Sequence, residues 1–144
     1  FFKQTPAYAM LRSLVGSEMC IRDRSIIKGH ANATVYKPSP AFLYRFTASG
    51  QSAYLVNGPG LTTNTSNASL VFHRGFTYDL HNQAGGVHPL RLQSTTGTSG
   101  TPYTTGISGD QTGMQEFVVP MDAPNTLYLQ CTAHTDMMCT ITVK

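Results

Sequence analysis

Short segments in which apolar and polar residues alternate dominate the chain from residue 41 onward. A repeat of two is typical of a strand with one buried face, and clusters of Gly, Pro, Ser, Thr and Asn separate the segments. No stretch shows sustained helical periodicity. The pattern therefore predicts an all-β fold with many turns. Its expected strands are 42–47, 52–57, 69–73, 76–81, 87–94, 114–119, 126–131 and 139–143.

Two of these segments place a metal-ligating type of residue on an apolar face. Successive side chains of a strand point to opposite faces, so residues two apart share a face. In 87–94, His88 alternates in phase with the leucines of the segment, which predicts that His88 points inward. In 126–131, Cys131 shares the leucine face in the same way.

The turn after Cys131 concentrates candidate chemistry. It reads Cys131-Thr-Ala-His134-Thr-Asp-Met137-Met138, so thiol, imidazole and thioether groups lie within one short loop. Soft sulfur together with imidazole selects copper or zinc over hard cations. A site with two imidazoles needs a histidine from another segment, and the inward-facing His88 is the candidate.

This region resembles the carboxy-terminal signature of the cupredoxins, the blue-copper proteins. The strand ending at Cys131, the Cys-x2-His-x2-Met loop and the following Ile-Thr-Val strand carry the resemblance. The short loop is most similar to that of amicyanin and plastocyanin-like domains. The segment Val87-His88-Pro89-Leu90 is similar to the one that supplies the first histidine ligand of the family. The resemblance covers residues 41–144.

The resemblance implies a cupredoxin-like Greek-key β-sandwich that binds one copper ion per chain. The implied metal ligands are His88, Cys131, His134 and Met137, with the methionine as the weak axial ligand. Met138 is the alternative axial ligand, since family members differ in this spacing. The implied function is type 1 (blue) copper binding and one-electron transfer to a redox partner protein, by a monomer that is not an enzyme.

Cys139 departs from the family pattern, which usually has a glycine near this position. A thiol there is expected to be a small buried hydrophobe. As an alternative, Cys131 and Cys139 flank the hairpin and would form a disulfide in an oxidising compartment. That bond would consume the thiolate, and the domain would then be a non-redox secreted binding or structural module.

Composition and motifs exclude several other classes. The formal charge is +3, with no basic run that would follow phosphates, so nucleic acid is not an expected partner. No apolar stretch is long enough for a membrane span. The chain has no His-x-His pair of the kind multicopper oxidases need, and no Gly-x-Ser-x-Gly elbow of a serine hydrolase.

The first 24 residues are set apart from the fold. Residues 13–24 resemble a translated sequencing adapter, so 1–24 are expected to be an artefact or a disordered leader. Residues 25–40 are polar, end in Lys-Pro-Ser-Pro and are expected to be a linker. The predicted domain is therefore 41–144. An extracytoplasmic location, namely secreted, periplasmic or within an organelle lumen, is expected from the resemblance.

Overall fold

The computed structural model describes residues 42–144, so the predicted artefact or leader at 1–24 and the linker at 25–40 lie outside the described residues. Within 42–144 the structure consists of ten strands joined by turns and loops, with no helix. The strands are β1 (Phe42–Ser49), β2 (Ala53–Asn57), β3 (Thr65–Ser66), β4 (Ser69–Phe72), β5 (Thr77–Asn82), β6 (Leu90–Gln93), β7 (Ile107–Gly109), β8 (Met114–Val118), β9 (Thr126–Cys131) and β10 (Met138–Val143).

The strands form two sheets. One has six strands in the order β3-β2-β1-β5-β8-β7, and the other has four in the order β4-β10-β9-β6. The pairs β1–β5 and β4–β10 are parallel, and all the others are antiparallel. The prediction of an all-β sandwich is confirmed.

Alternating side chains from both sheets fill the space between them. Leu127, Leu129 and Cys131 of β9 are fully buried, as their shared face predicts. Phe72 of the four-stranded sheet stacks on Tyr78 of the six-stranded sheet, with ring centroids 3.9 Å apart. Burial of this apolar surface is the main force that holds the two sheets together.

One predicted strand differs from the structure where it bears on the site. The segment 87–94 was expected to be extended throughout, but β6 begins only at Leu90. His88 lies in the preceding turn, which its backbone N–H closes by donating to the carbonyl of Gly85 at 3.0 Å. Pro89 has no N–H that could bond to a neighbouring strand, so strand pairing is favoured to begin after Pro89. His88 is nevertheless buried, as predicted.

None of the described residues belongs to a helix long and apolar enough to span a membrane.

Candidate metal centre

The loop between β9 and β10 begins and ends in paired strands. Cys131 is the last residue of β9, and its backbone N–H donates to the carbonyl of Met137 at 2.9 Å, across the mouth of the loop. The N–H of Met137 donates in turn to the carbonyl of His134 at 3.4 Å. The loop also joins the turn that carries His88, because Thr132 N–H donates to the carbonyl of Pro89 at 3.2 Å. These bonds place three separate segments of the chain side by side.

His88, Cys131 and His134 converge at this end of the sandwich. Their candidate ligand atoms all lie within 4.8 Å of one another. The Nδ1 atoms of His88 and His134 are 3.1 Å apart, and the Sγ atom of Cys131 lies 3.5 Å from the Nδ1 atom of His134. Cys131 and His88 are buried, whereas His134 is partly exposed. One thiol and two imidazoles therefore face a common point at the edge of the core.

Two of the three separations fit a single bound metal ion. Thiolate sulfur binds Zn²⁺ at about 2.3 Å and imidazole nitrogen at about 2.0–2.1 Å. In a tetrahedral-like arrangement, those lengths put two nitrogens about 3.3 Å apart and a nitrogen and a sulfur about 3.5 Å apart. The observed 3.1 Å and 3.5 Å are close to these values. The donor set and its spacing suit a thiophilic ion such as copper or zinc.

Two side chains hold the turn of His88 in place. The carbonyl oxygen of His88 accepts hydrogen bonds from the Tyr54 hydroxyl at 2.9 Å and from Asn82 Nδ2 at 2.7 Å. Burial, and the nearby imidazole of His134, lower the pKa of His88. A lowered pKa keeps the ring neutral near neutral pH, and the neutral ring is the form that binds a metal.

The Tyr54 phenol lies against the candidate thiol as well as against the His88 turn. Tyr54 is fully buried in the core. Burial first, and then its contact with the Cys131 side chain, raise the pKa of Tyr54, so its hydroxyl keeps its proton and acts as a donor.

The two methionines of the loop have different surroundings. Met137 is fully buried and belongs to the same apolar core as Cys131. Met138 begins β10, pairs with Gln130 and is partly exposed. Because neighbouring residues of a strand point to opposite faces, only Met137 continues the buried face formed by Cys139 and Ile141. The structure therefore places Met137, and not Met138, on the buried face of the hairpin.

Both described cysteines have free thiols. Cys139 pairs with Leu129 across the β9–β10 hairpin. Cys131 lies two residues further along β9, so the two cysteines do not face each other directly. Burial raises the pKa of Cys139 to about 12, against a smaller opposing effect of a backbone hydrogen bond from Ala68. Cys139 is therefore a protonated, buried thiol, which is the small-hydrophobe role expected for it.

Sequence patterns alone did not identify several residues that support the cluster. Tyr54, Asn82 and Gln130 are all buried, and each binds backbone atoms of the ligand-bearing segments. Their polar atoms carry no spacing signal, and only the tertiary structure shows what they contact. Of the remaining histidines in the described range, His73 is exposed and His81 is partly exposed on β5, and neither joins the cluster.

No family model matches the chain, and no curated protein matches it. Among solved structures, the chain is similar to rusticyanin from Thiobacillus ferrooxidans, with 18% identity, 72% of this chain and 75% of that chain covered, and a TM-score of 0.44. It is also similar to reduced rusticyanin, with 20% identity, coverage of 72% and 77%, and a TM-score of 0.43. A reduced amicyanin variant matches with 18% identity, coverage of 53% and 69%, and a TM-score of 0.35.

Rusticyanin and amicyanin are cupredoxins, the family that the sequence resembles. Identity this low does not transfer a ligand or an activity, so the chemistry of this site has to follow from its own residues. Residues 42–144 form an all-β sandwich with a largely buried thiol-imidazole cluster at one end.

Proposed function

We propose that the domain binds one copper ion through His88, Cys131, His134 and Met137, and exchanges single electrons with a partner protein. The observation that carries the proposal is the convergence of one thiol and two imidazoles from two separate segments. Random packing seldom brings three soft or borderline donors within 4.8 Å of one another. A structural cysteine or a surface histidine alone would not require this convergence.

Each proposed ligand has a distinct task. Cys131 supplies the thiolate, the two histidines supply neutral nitrogen donors, and Met137 supplies a weak thioether donor from the core. Copper in such a donor set accepts and returns one electron, as Cu(II) and Cu(I). The paired strands and the bonds around the loop hold the ligands in one arrangement, which suits both oxidation states.

The exposure of the cluster is asymmetric, which suits electron exchange. His88 and Cys131 are shielded from water, while His134 lies beside a surface depression lined by Gln51, Ser52, Ala133, Thr135 and Asp136. A partner protein would contact this face and reach the site through the ring of His134. The thiol and both imidazoles are all used as proposed metal ligands, so we propose electron transfer and not catalysis. We propose in addition that the protein is extracytoplasmic and monomeric.

The test is a visible spectrum of the full chain, reduced and then titrated with Cu(II). We expect an intense thiolate-to-copper band that saturates at one equivalent. Cys131→Ser should abolish the band because an alcohol cannot replace the thiolate, while the sandwich stays folded by circular dichroism. Cys139→Ser is the matched control, and it should keep the band because its thiol lies outside the cluster.

Two other outcomes would contradict the proposal. A colourless complex with one equivalent of Zn²⁺, and no band with Cu(II), would indicate a structural zinc site. A Cys131–Cys139 disulfide, found by mass mapping of the purified chain, would support the non-redox binding module. The free thiols described above count against that disulfide.

A further inference from the structure

Gln130 precedes Cys131, the candidate thiolate, and its side chain points away from the cluster of His88, Cys131 and His134. Its neighbours on β9, Leu129 and Cys131, face the core, so Gln130 lies on the opposite face of the sheet. An outward glutamine on a strand is ordinarily solvated, but Gln130 is fully buried. A buried primary amide needs partners for two hydrogens and one oxygen.

The amide nitrogen of Gln130 sits among carbonyl oxygens of the ligand loop. Its Nε2 lies within hydrogen-bond distance of four of them, those of Cys131 at 3.1 Å, His134 at 3.0 Å, Thr135 at 3.2 Å and Met137 at 3.1 Å. Three of the four belong to residues that the proposed function makes metal ligands. The amide hydrogens are shared among these oxygens, so a single side chain spans the loop from its first ligand to its last.

The other end of the amide is fixed by a different segment. The Oε1 atom of Gln130 accepts the backbone N–H of Gly97 at 3.3 Å. This contact sets the orientation of the amide, because a flipped group would point its oxygen at four other oxygens. The Gly97 segment is itself held by Gln93 and Arg91 of β6, which donate to carbonyls between Thr95 and Gly100.

We propose that Gln130 is the positioning residue of the metal loop, fixing the backbone of Cys131, His134 and Met137 from behind the sheet. The inference rests on the proposed function only in taking these residues to be ligands. Two of the carbonyls it binds, those of His134 and Met137, also accept the N–H groups that close the loop. Removing the amide should therefore loosen the loop even before any metal is added.

The chain offers a closely matched control for this role. Gln93 is also fully buried, on neighbouring β6, but its amide accepts from Arg91 and donates to the 95–97 carbonyls, and it does not contact the metal loop. Gln130→Met and Gln93→Met each replace an amide by an unbranched apolar side chain of similar length. Both variants remove a buried hydrogen-bonding group, and only the first removes contacts to ligand residues.

The first measurement is amide hydrogen exchange in the full, reduced, metal-free chain. We expect Gln130→Met to speed exchange of the Cys131 and Met137 N–H groups at least about tenfold relative to the wild type, under conditions where local opening controls exchange. Gln93→Met should change the exchange rates of these two N–H groups by much less. It should instead speed exchange of the Ser94 N–H, which closes the neighbouring loop by donating to the carbonyl of Thr101. Equal effects of both variants on the metal loop, or none from Gln130→Met, would overturn the inference.

The second measurement is copper affinity and spectrum. Residues that hydrogen-bond to metal ligands typically contribute about 10–100-fold to metal affinity. We therefore expect Gln130→Met to weaken Cu(II) binding by that factor and to shift the thiolate-to-copper band. Gln93→Met should leave the band in place. If wild-type chain shows no copper band while the exchange result holds, the proposed function fails but the positioning role of Gln130 stands. If the band forms and Gln130→Met alters neither exchange nor affinity, the positioning role fails alone.

Discussion

At the residue scale, the chemistry of the site depends on which side chains share the buried face of one hairpin. Cys131 ends β9 facing the core, and Met137 precedes β10 on the same buried face. Met138, one residue further, has the opposite orientation and is partly exposed. A difference of one position in a strand therefore decides between a ligand candidate and a surface side chain.

This difference gives a direct prediction for the fourth ligand. Met137→Leu should keep the blue band but raise the reduction potential, because loss of a thioether donor disfavours Cu(II) more than Cu(I). Met138→Leu is the control and should leave the potential unchanged. Protein-film voltammetry of the three chains measures the effect. A shift in potential from Met138→Leu, with none from Met137→Leu, would exchange the roles of the two residues.

At the element scale, the sandwich depends on a few aromatic contacts between its sheets. Phe72 is fully buried on β4 and stacks on Tyr78 of β5, while Val71, one residue earlier, is 44% exposed on the other face. The same short strand thus carries one residue that holds the sheets together and one that does not.

Truncating each of these residues should separate the two roles. Phe72→Ala removes a buried ring and should lower the free energy of unfolding by about 3–5 kcal/mol. Val71→Ala should change it by no more than about 0.5 kcal/mol, as is usual at exposed positions. Urea unfolding followed by circular dichroism gives both values. A cost below about 1 kcal/mol for Phe72→Ala would mean that this contact is not a main part of the core.

The bounds of the strands show which elements the sequence pattern predicts correctly. Period-two alternation predicted β9 with its observed bounds and located β1, β4, β5, β8 and β10 closely, because each has one buried and one open face. It missed β3 and β7, which are only two and three residues long. It also extended β6 back over His88, where a turn and Pro89 interrupt the strand.

The candidate site was predictable to a similar degree. Cys131, His134 and Met137 are close in sequence, and a loop between two strands must bring them close in space. His88 was found because its apolar neighbours indicated burial. Gln130 was not identified, since alternation puts it on the outer face, and only the distant 95–100 segment covers it there. Burial of a polar residue by a remote loop leaves no local pattern.

At the scale of the whole molecule, the described core is much larger than the cluster of His88, Cys131 and His134. Buried apolar residues come from both sheets and extend from Tyr44 to Val143, whereas the cluster occupies one end. A core of this extent should keep the domain folded without metal, unlike small zinc modules that unfold when the ion is removed. Under the proposed function, metal binding would then add stability to a domain that is already folded.

A thermal unfolding series measures that added stabilisation. A ligand that binds only the folded state stabilises it by about 2.7 kcal/mol when its free concentration is 100 times the dissociation constant. For a domain of this size, each kcal/mol corresponds to a rise in Tm of about 4–8 °C. We expect a Cu(I)-dependent rise in Tm for the wild type under anaerobic conditions, and a much smaller one for His88→Ala. Absence of a folded metal-free baseline would contradict this picture.

The parallel pairing of β4 with β10 also bears on when the site comes into being. Ser69 pairs with Thr140, so two strands from distant parts of the chain must meet before this sheet is complete. Pairings that distant are slow to form, and β-sandwiches rich in them typically fold in milliseconds to seconds. The ribosome makes β9, the loop and β10 after every other described strand, so the site cannot form until these last described strands have been synthesised. Under the proposed function, copper would then be bound only after most of the described domain has been made.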